Sequence, residues 1–170
     1  MALPLLMLGG VEIPRHAGAP VITDGPVGGG TGRVRLSGGT LVKMERWSKR
    51  AGTISAQGWM PPGIGGLNFS QPLELRSTKV RTVGGVGLVY TLPFTPRPDL
   101  APWAFALVGG QWQETPCSTV DGVSTVTAVA SAEQYQVWAM PVYSVMVEPP
   151  DESQDNGTAT HSWTLPWEEA

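Results

Sequence analysis

From Arg33 onward, polar and apolar residues alternate with the period of two that a half-buried strand requires. Arg33-Val34-Arg35-Leu36 is such a stretch, residues 37–40 (Ser-Gly-Gly-Thr) supply a turn, and 41–47 return, which predicts a hairpin. Residues 53–56 and 73–76 predict two more short strands, and 86–92 an apolar one. Beyond them the turn chemistry sharpens. Residues 103–108, Gly109-Gly110 and 111–115 predict one hairpin; 118–120, Asp121-Gly122 and 123–129 predict a second. Residues 135–147 read as one long strand, with Tyr135, Val137 and Ala139 on one face and Trp138, Met140 and Val142 on the other. Two apolar faces predict a central, covered strand, with a bulge or bend at Pro141. Residues 151–157 read as an acidic turn and 161–165 as a returning strand. No stretch carries the 3.6-residue period of a three-turn helix.

The first 32 residues differ in texture. They are crowded with glycine and proline, and only 11–13 suggest a strand, while 25–32 exclude a helix. The expected organisation is therefore an extended Gly/Pro-rich arm over 1–32, followed by a β-rich domain over 33–170. The expected fold is mainly β, an antiparallel β-sandwich or barrel with long Gly/Pro-rich loops. Leu3, Leu5, Leu6, Val11 and Ile13 lack a period that would build a core, so the arm is expected to lie on a neighbouring subunit.

Composition narrows the function classes. Of 170 residues only 15% are charged, against about a quarter in an ordinary soluble chain, while 41% are hydrophobic. Sparse charge suits a surface covered by partners. The charges that exist are divided: residues 1–97 hold all eleven bases against four acids, net +7, and residues 98–170 hold ten acids and no base, net −10. Either the halves neutralise each other internally, or one subunit presents a basic face and an acidic face that meet head to tail. Nucleic acid is the weaker partner, because a basic half tied to an acidic half repels phosphate overall. The candidate interface residues are Arg33, Arg35, Lys43, Arg46, Lys49 and Arg50 on the basic side. Glu148, Asp151 and Glu152 stand on the acidic side, with Trp59, Met60 and Ile64 as apolar anchors.

The sequence holds no recognisable catalytic constellation. Gly28–Gly32 lacks the Gly-Lys-Ser/Thr ending of a phosphate loop, and Gly84-Gly85-Val86-Gly87 lacks the dinucleotide fingerprint, so turn formation explains both. His16 and His161 come with no nucleophile elbow. Glu148, Asp151, Glu152 and Asp155 read as a solvated patch rather than a glycosidase pair, and they lack the spacing of a calcium loop. The lone Cys117 cannot close an internal disulfide, and no second cysteine or histidine cluster offers a zinc site. The expectation is a non-enzymatic protein without cofactor or metal. No apolar run reaches twenty residues, so no membrane span is expected. Among the seven tryptophans, Trp59, Trp103 and Trp112 lie in or beside turns, where they could stack on a sugar or anchor an interface. Trp47, Trp138 and Trp163 lie within strands and are expected in the core.

Residues Gly39-Thr40 to Trp47, continuing into Thr53-Ile54-Ser55-Ala56-Gln57-Gly58-Trp59, resemble segments of long-tailed bacteriophage tail-tip proteins. So do Tyr135-Gln136-Val137, Tyr143-Ser144-Val145-Met146-Val147 and His161-Ser162-Trp163-Thr164-Leu165. The resemblance covers Arg33 onward and carries over no catalytic residue. It implies a virion structural protein of the distal tail or baseplate, forming an oligomeric ring with copies of itself and other virion proteins, assembled in the host cytoplasm. A tail-tube or capsid decoration protein, and a carbohydrate-binding module, are the alternatives.

Overall fold

A computed structural model describes residues 4–170. In chain order the first elements are β1 (Met7–Leu8), β2 (Val11–Glu12), a 3-10 turn (Arg15–Ala17), β3 (Val21–Pro26), β4 (Thr31–Arg35), β5 (Leu41–Glu45) and β6 (Arg50–Gly58). Then come β7 (Leu73–Arg76), β8 (Arg81–Gly85), β9 (Val89–Thr91), β10 (Trp103–Val108), β11 (Gln111–Thr115), β12 (Cys117–Val120) and β13 (Val123–Val126). The last are β14 (Ala132–Ala139), β15 (Val142–Val147), β16 (Asp151–Asp155) and β17 (Thr160–Glu169). The protein is mainly β, with just over half of its residues in strands and no α-helix among those described. Every strand pair whose register is described is antiparallel. Among the described residues no sheet closes on itself, so the barrel alternative gives way to open sheets.

The chain forms two compact units, residues 1–12 with 74–143, and residues 13–73 with 144–170. The division expected at residue 32 does not match these units. In the first unit the order β11-β10-β14-β8 makes one sheet and β12-β13-β9 another. Their inward side chains share a core of Tyr90, Leu92, Ala104, Ala106, Val126, Tyr135, Val137 and Ala139, which is the logic of a small sandwich. Both expected hairpins form, since Gly109-Gly110 (φ 56° and 79°) and Asp121-Gly122 (φ 48° and 77°) adopt the left-handed pairs that match strand twist.

In the second unit β17 is central. It pairs with β6 on one side, and on the other with β16 at its start and β15 at its end; β3 completes the far edge beyond β6. Trp163, Leu165 and Trp167 alternate into the core of this unit. Pro166 pairs with Thr53 of β6 on one side, while on the other β16 pairs residues 160–164 and β15 pairs 167–169, leaving a gap at 165–166.

Several expectations are corrected. Residues 135–147 are two strands, β14 and β15, because Met140-Pro141 breaks the run; the carbonyls of both residues accept from the N–H groups of Arg97 and Ser77 instead. Residues 151–155 are strand β16, not a turn. The apolar run 86–92 holds only the three residues of β9, with Val86 exposed in the bend before it. Nor are the first residues an arm whose apolar groups wait for a neighbouring subunit. Leu6, Leu8, Ile13 and Ala17 are buried in the chain's own units, Leu8 beside Leu75 through β1–β7 pairing, and Ala17 O accepts from Trp163 Nε1 at 2.9 Å. Leu3 lies outside the described residues.

Candidate functional site

Two surfaces in the second unit stand out. The first is the ribbon β4–β5. Every residue from 31 to 48 is exposed, although the segment carries Val34, Leu36, Leu41, Val42, Met44 and Trp47. The registers Gly32↔Met44, Val34↔Val42 and Arg33↔Lys43 sort the side chains by face, because directly opposed residues share one. Val34, Val42 and Met44, with Leu36 by alternation, form an apolar face. Arg33, Arg35 and Lys43 share the other with Thr31, Leu41 and Glu45. Among the described residues Arg33 and Arg46 meet no acid, whereas Lys43 Nζ lies 3.2 Å from Glu45 at the exposed surface, a pair of little energetic weight. Trp47, expected in the core, is exposed and lies over Gly30 at the neck of the ribbon. A Cβ on Gly30 would approach the Trp47 carbonyl oxygen to 2.1 Å and its ring to 2.8 Å. Arg46 N–H donates to Gly30 O at 2.8 Å and completes that neck.

The second surface is acidic. Among the described residues β16 pairs only with β17, which leaves its other edge open, and all five of its residues are exposed. Asp151 and Glu152 meet no base among the described residues. Asp155 closes the hairpin: its carboxylate accepts from Thr158 Oγ1 and Gly157 N at 2.8 Å each, and these bonds hold its pKa below the usual range. Between the end of β15 and the start of β16 lies an open groove of about 510 Å³. Phe69, Met146, Pro149 and Pro166 line it with Glu148 and Glu168, and it follows from the gap at 165–166.

The other expected interface residues distribute differently. Trp59 is 62% exposed, its ring edge-on to His16 at 5.3 Å, and Met60 is half-buried beside it in sequence. Ile64 is 1% exposed and belongs to the core, because the loop that carries it folds back rather than projecting. Arg50 donates from Nε to Asp24 at 2.7 Å and from its backbone to Glu169 at 3.0 Å, and Lys49 Nζ reaches the Ala170 carbonyl. These two bases are tied within their own unit, whereas the ion pairs of Arg76 and Arg97 with Asp99 cross the charge division. The apolar residues of the ribbon were absent from the expected set, although the alternation of bases with Val34, Leu36, Val42 and Met44 carries the signal of a two-faced ribbon.

In the first unit, Trp103, Phe105 and Trp138 share the face of the β10–β14 pair opposite the core. Trp138 meets Phe105 at 5.0 Å with planes 60° apart and Trp103 at 6.3 Å with planes 52° apart. Rings so tilted pack on one another edge to face and offer no coplanar platform to a sugar ring. Trp112 alone on this sheet is 44% exposed. Among the described residues no group of three or more His, Cys, Asp and Glu is placed to hold a metal ion, and no helix is long and apolar enough to cross a membrane. No protein-family model, curated protein or solved structure matches the chain.

Proposed function

We propose that the chain is a non-enzymatic structural subunit of a long-tailed bacteriophage virion, a component of the distal tail or baseplate that assembles into an oligomeric ring. The observation that carries the reading is the β4–β5 ribbon. An isolated two-stranded ribbon is at best marginally stable in water, and this one exposes an entire apolar face. Such a face is characteristic of a surface that another protein covers. The sparse and divided charge agrees with a molecule whose surface is shared with neighbours. The partners on this reading are copies of the chain and other virion proteins, and no cofactor is required.

Light scattering and negative-stain microscopy of the purified full-length protein test the assembly: rings or defined oligomers are expected, and a monomer persisting to about 100 µM, a concentration at which weak self-association registers, overturns it. Antibodies to the chain should label the tip of long-tailed particles in lysates of the source bacterium. Labelling along the tube or on the head would instead make it a tail-tube or capsid decoration protein.

A further inference from the structure

We infer that the β4–β5 ribbon of one copy adds to the open edge of β16 in the next, with β4 as the added strand, so that the contact between copies is a continuous antiparallel or parallel ladder joining two chains. The inference rests on the assembly reading above and supplies its contact. Three observations carry it.

The first is charge. The stretch 31–47 holds Arg33, Arg35, Lys43 and Arg46 against Glu45, net +3, and β16 holds Asp151, Glu152 and Asp155, net −3. Two β16 edges brought together would set three acids against three, and two ribbons would set bases against bases. Like charges suppress both of these symmetric pairings, and only ribbon against edge is attractive. The contact is therefore head to tail, the kind that generates a ring when its rotation closes.

The second is shape. β4, β5 and β16 are each five residues long, about 17 Å at the usual rise. β4 carries two bases and no acid, whereas Lys43 and Glu45 cancel on β5, so β4 is the better edge. β16 offers unpaired backbone groups, and an extended strand laid beside them satisfies donors and acceptors on both chains.

The third is sidedness. Arg33 and Arg35 alternate with Val34 and Leu36, as Asp151, Ser153 and Asp155 alternate with Glu152 and Gln154. When the bases of β4 lie on the Asp151 and Asp155 side, its apolar face falls on the other side. There Glu152 and Gln154 stand opposite Trp163 and His161 of β17. The ribbon then extends the side of the sheet that carries Trp163.

Charge reversal in the full-length protein tests the inference by sedimentation velocity. A ribbon variant (Arg33→Glu with Arg35→Glu) and an edge variant (Asp151→Lys with Ser153→Lys, both on the side of the bases) should each weaken self-association about tenfold or more, as like charges facing each other require. Mixed together they should restore it, because the basic ribbon of one meets the acidic edge of the other and the reverse contact is also opposite in sign. Unchanged circular dichroism checks each fold, and the milder Arg33→Ala with Arg35→Ala should show a smaller loss in the same direction. Oligomers that ignore both reversals, or variants that weaken without rescue on mixing, overturn this contact and leave the assembly reading standing. A wild-type protein that stays monomeric removes both.

Discussion

Arg97 is only 2% exposed, a costly place for a charge. The site is built to hold it: Nε and Nη2 donate to the two oxygens of Asp99 at 2.6 and 2.7 Å, Nη1 to Ser77 O at 3.2 Å and Nη2 to Leu5 O at 3.0 Å. Those hydrogen bonds from Arg97 hold the Asp99 carboxyl below its usual pKa. A carboxylate whose pKa is lower folded than unfolded adds stability above its unfolded value, near 4, and loses it as pH falls through the depressed folded value. Asp99→Asn should therefore cost roughly 2 kcal/mol at neutral pH, the scale of hydrogen bonds to a charged group. It should also flatten the acid limb of stability below about pH 4, and urea titrations across pH measure both effects. Cys117 is the opposite case. Burial raises its thiol pKa, and Sγ lies 3.2 Å from Pro102 O. The nucleophile is the thiolate, so alkylation by iodoacetamide at pH 7 should run slower than for a free cysteine and accelerate steeply with pH, as mass spectrometry of timed samples would show.

At the scale of elements, what was legible followed turn chemistry. Gly109-Gly110 and Asp121-Gly122 fixed their hairpins because two consecutive positive φ values select those residues locally. β16 was illegible because five polar residues carry no alternation, and the strand exists through its pairing with β17 and the Asp155 turn. Met140-Pro141 was illegible for the reverse reason: both residues are apolar, so a break between β14 and β15 looked like one continuous strand. The same lesson covers the first 32 residues, where short strands without a period are fixed by partners far along the chain. Deleting residues 1–32 removes β1, β2, β3 and the buried Leu6, Leu8, Ile13 and Ala17. The remainder should lose its cooperative melt in calorimetry rather than fold and merely fail to assemble. Of the candidate site, the basic residues and acids were readable from charge; the apolar face of the ribbon required the register Val34↔Val42 and Gly32↔Met44. Gly30→Ala tests the neck. Its Cβ would meet backbone as well as the Trp47 ring, so the ribbon should detach from its base, with Trp47 fluorescence shifting to the red and hydrogen exchange rising across residues 31–48.

For the whole molecule the chain passes between its two units after residues 12, 73 and 143. Pairings such as β1 with β7 and β6 with β17 join segments far apart in sequence. Loops of that length must close before their contacts form, which slows folding to the millisecond-to-second range typical of non-local β topologies. Refolding from urea, followed by tryptophan fluorescence, should fall in that range; a microsecond phase carrying the full amplitude would contradict the topology.

The position of β17 also sets a timetable for biosynthesis. β6 ends at Gly58, and the strand that covers its open side begins at Thr160. At about 5–20 residues per second a ribosome needs roughly 5–20 seconds to bridge that distance. Throughout the interval the nascent chain can hold β3 against β6 but has nothing to lay on the other edge, and Ile54 has no Leu165 beside it. The ribbon β4–β5 emerges before β6 is complete, whereas β16 and β17 follow about a hundred residues later. A growing chain on a polysome therefore displays the basic ribbon long before it displays the acidic edge. On the contact inferred above, a nascent chain can reach a finished neighbour and cannot yet receive one.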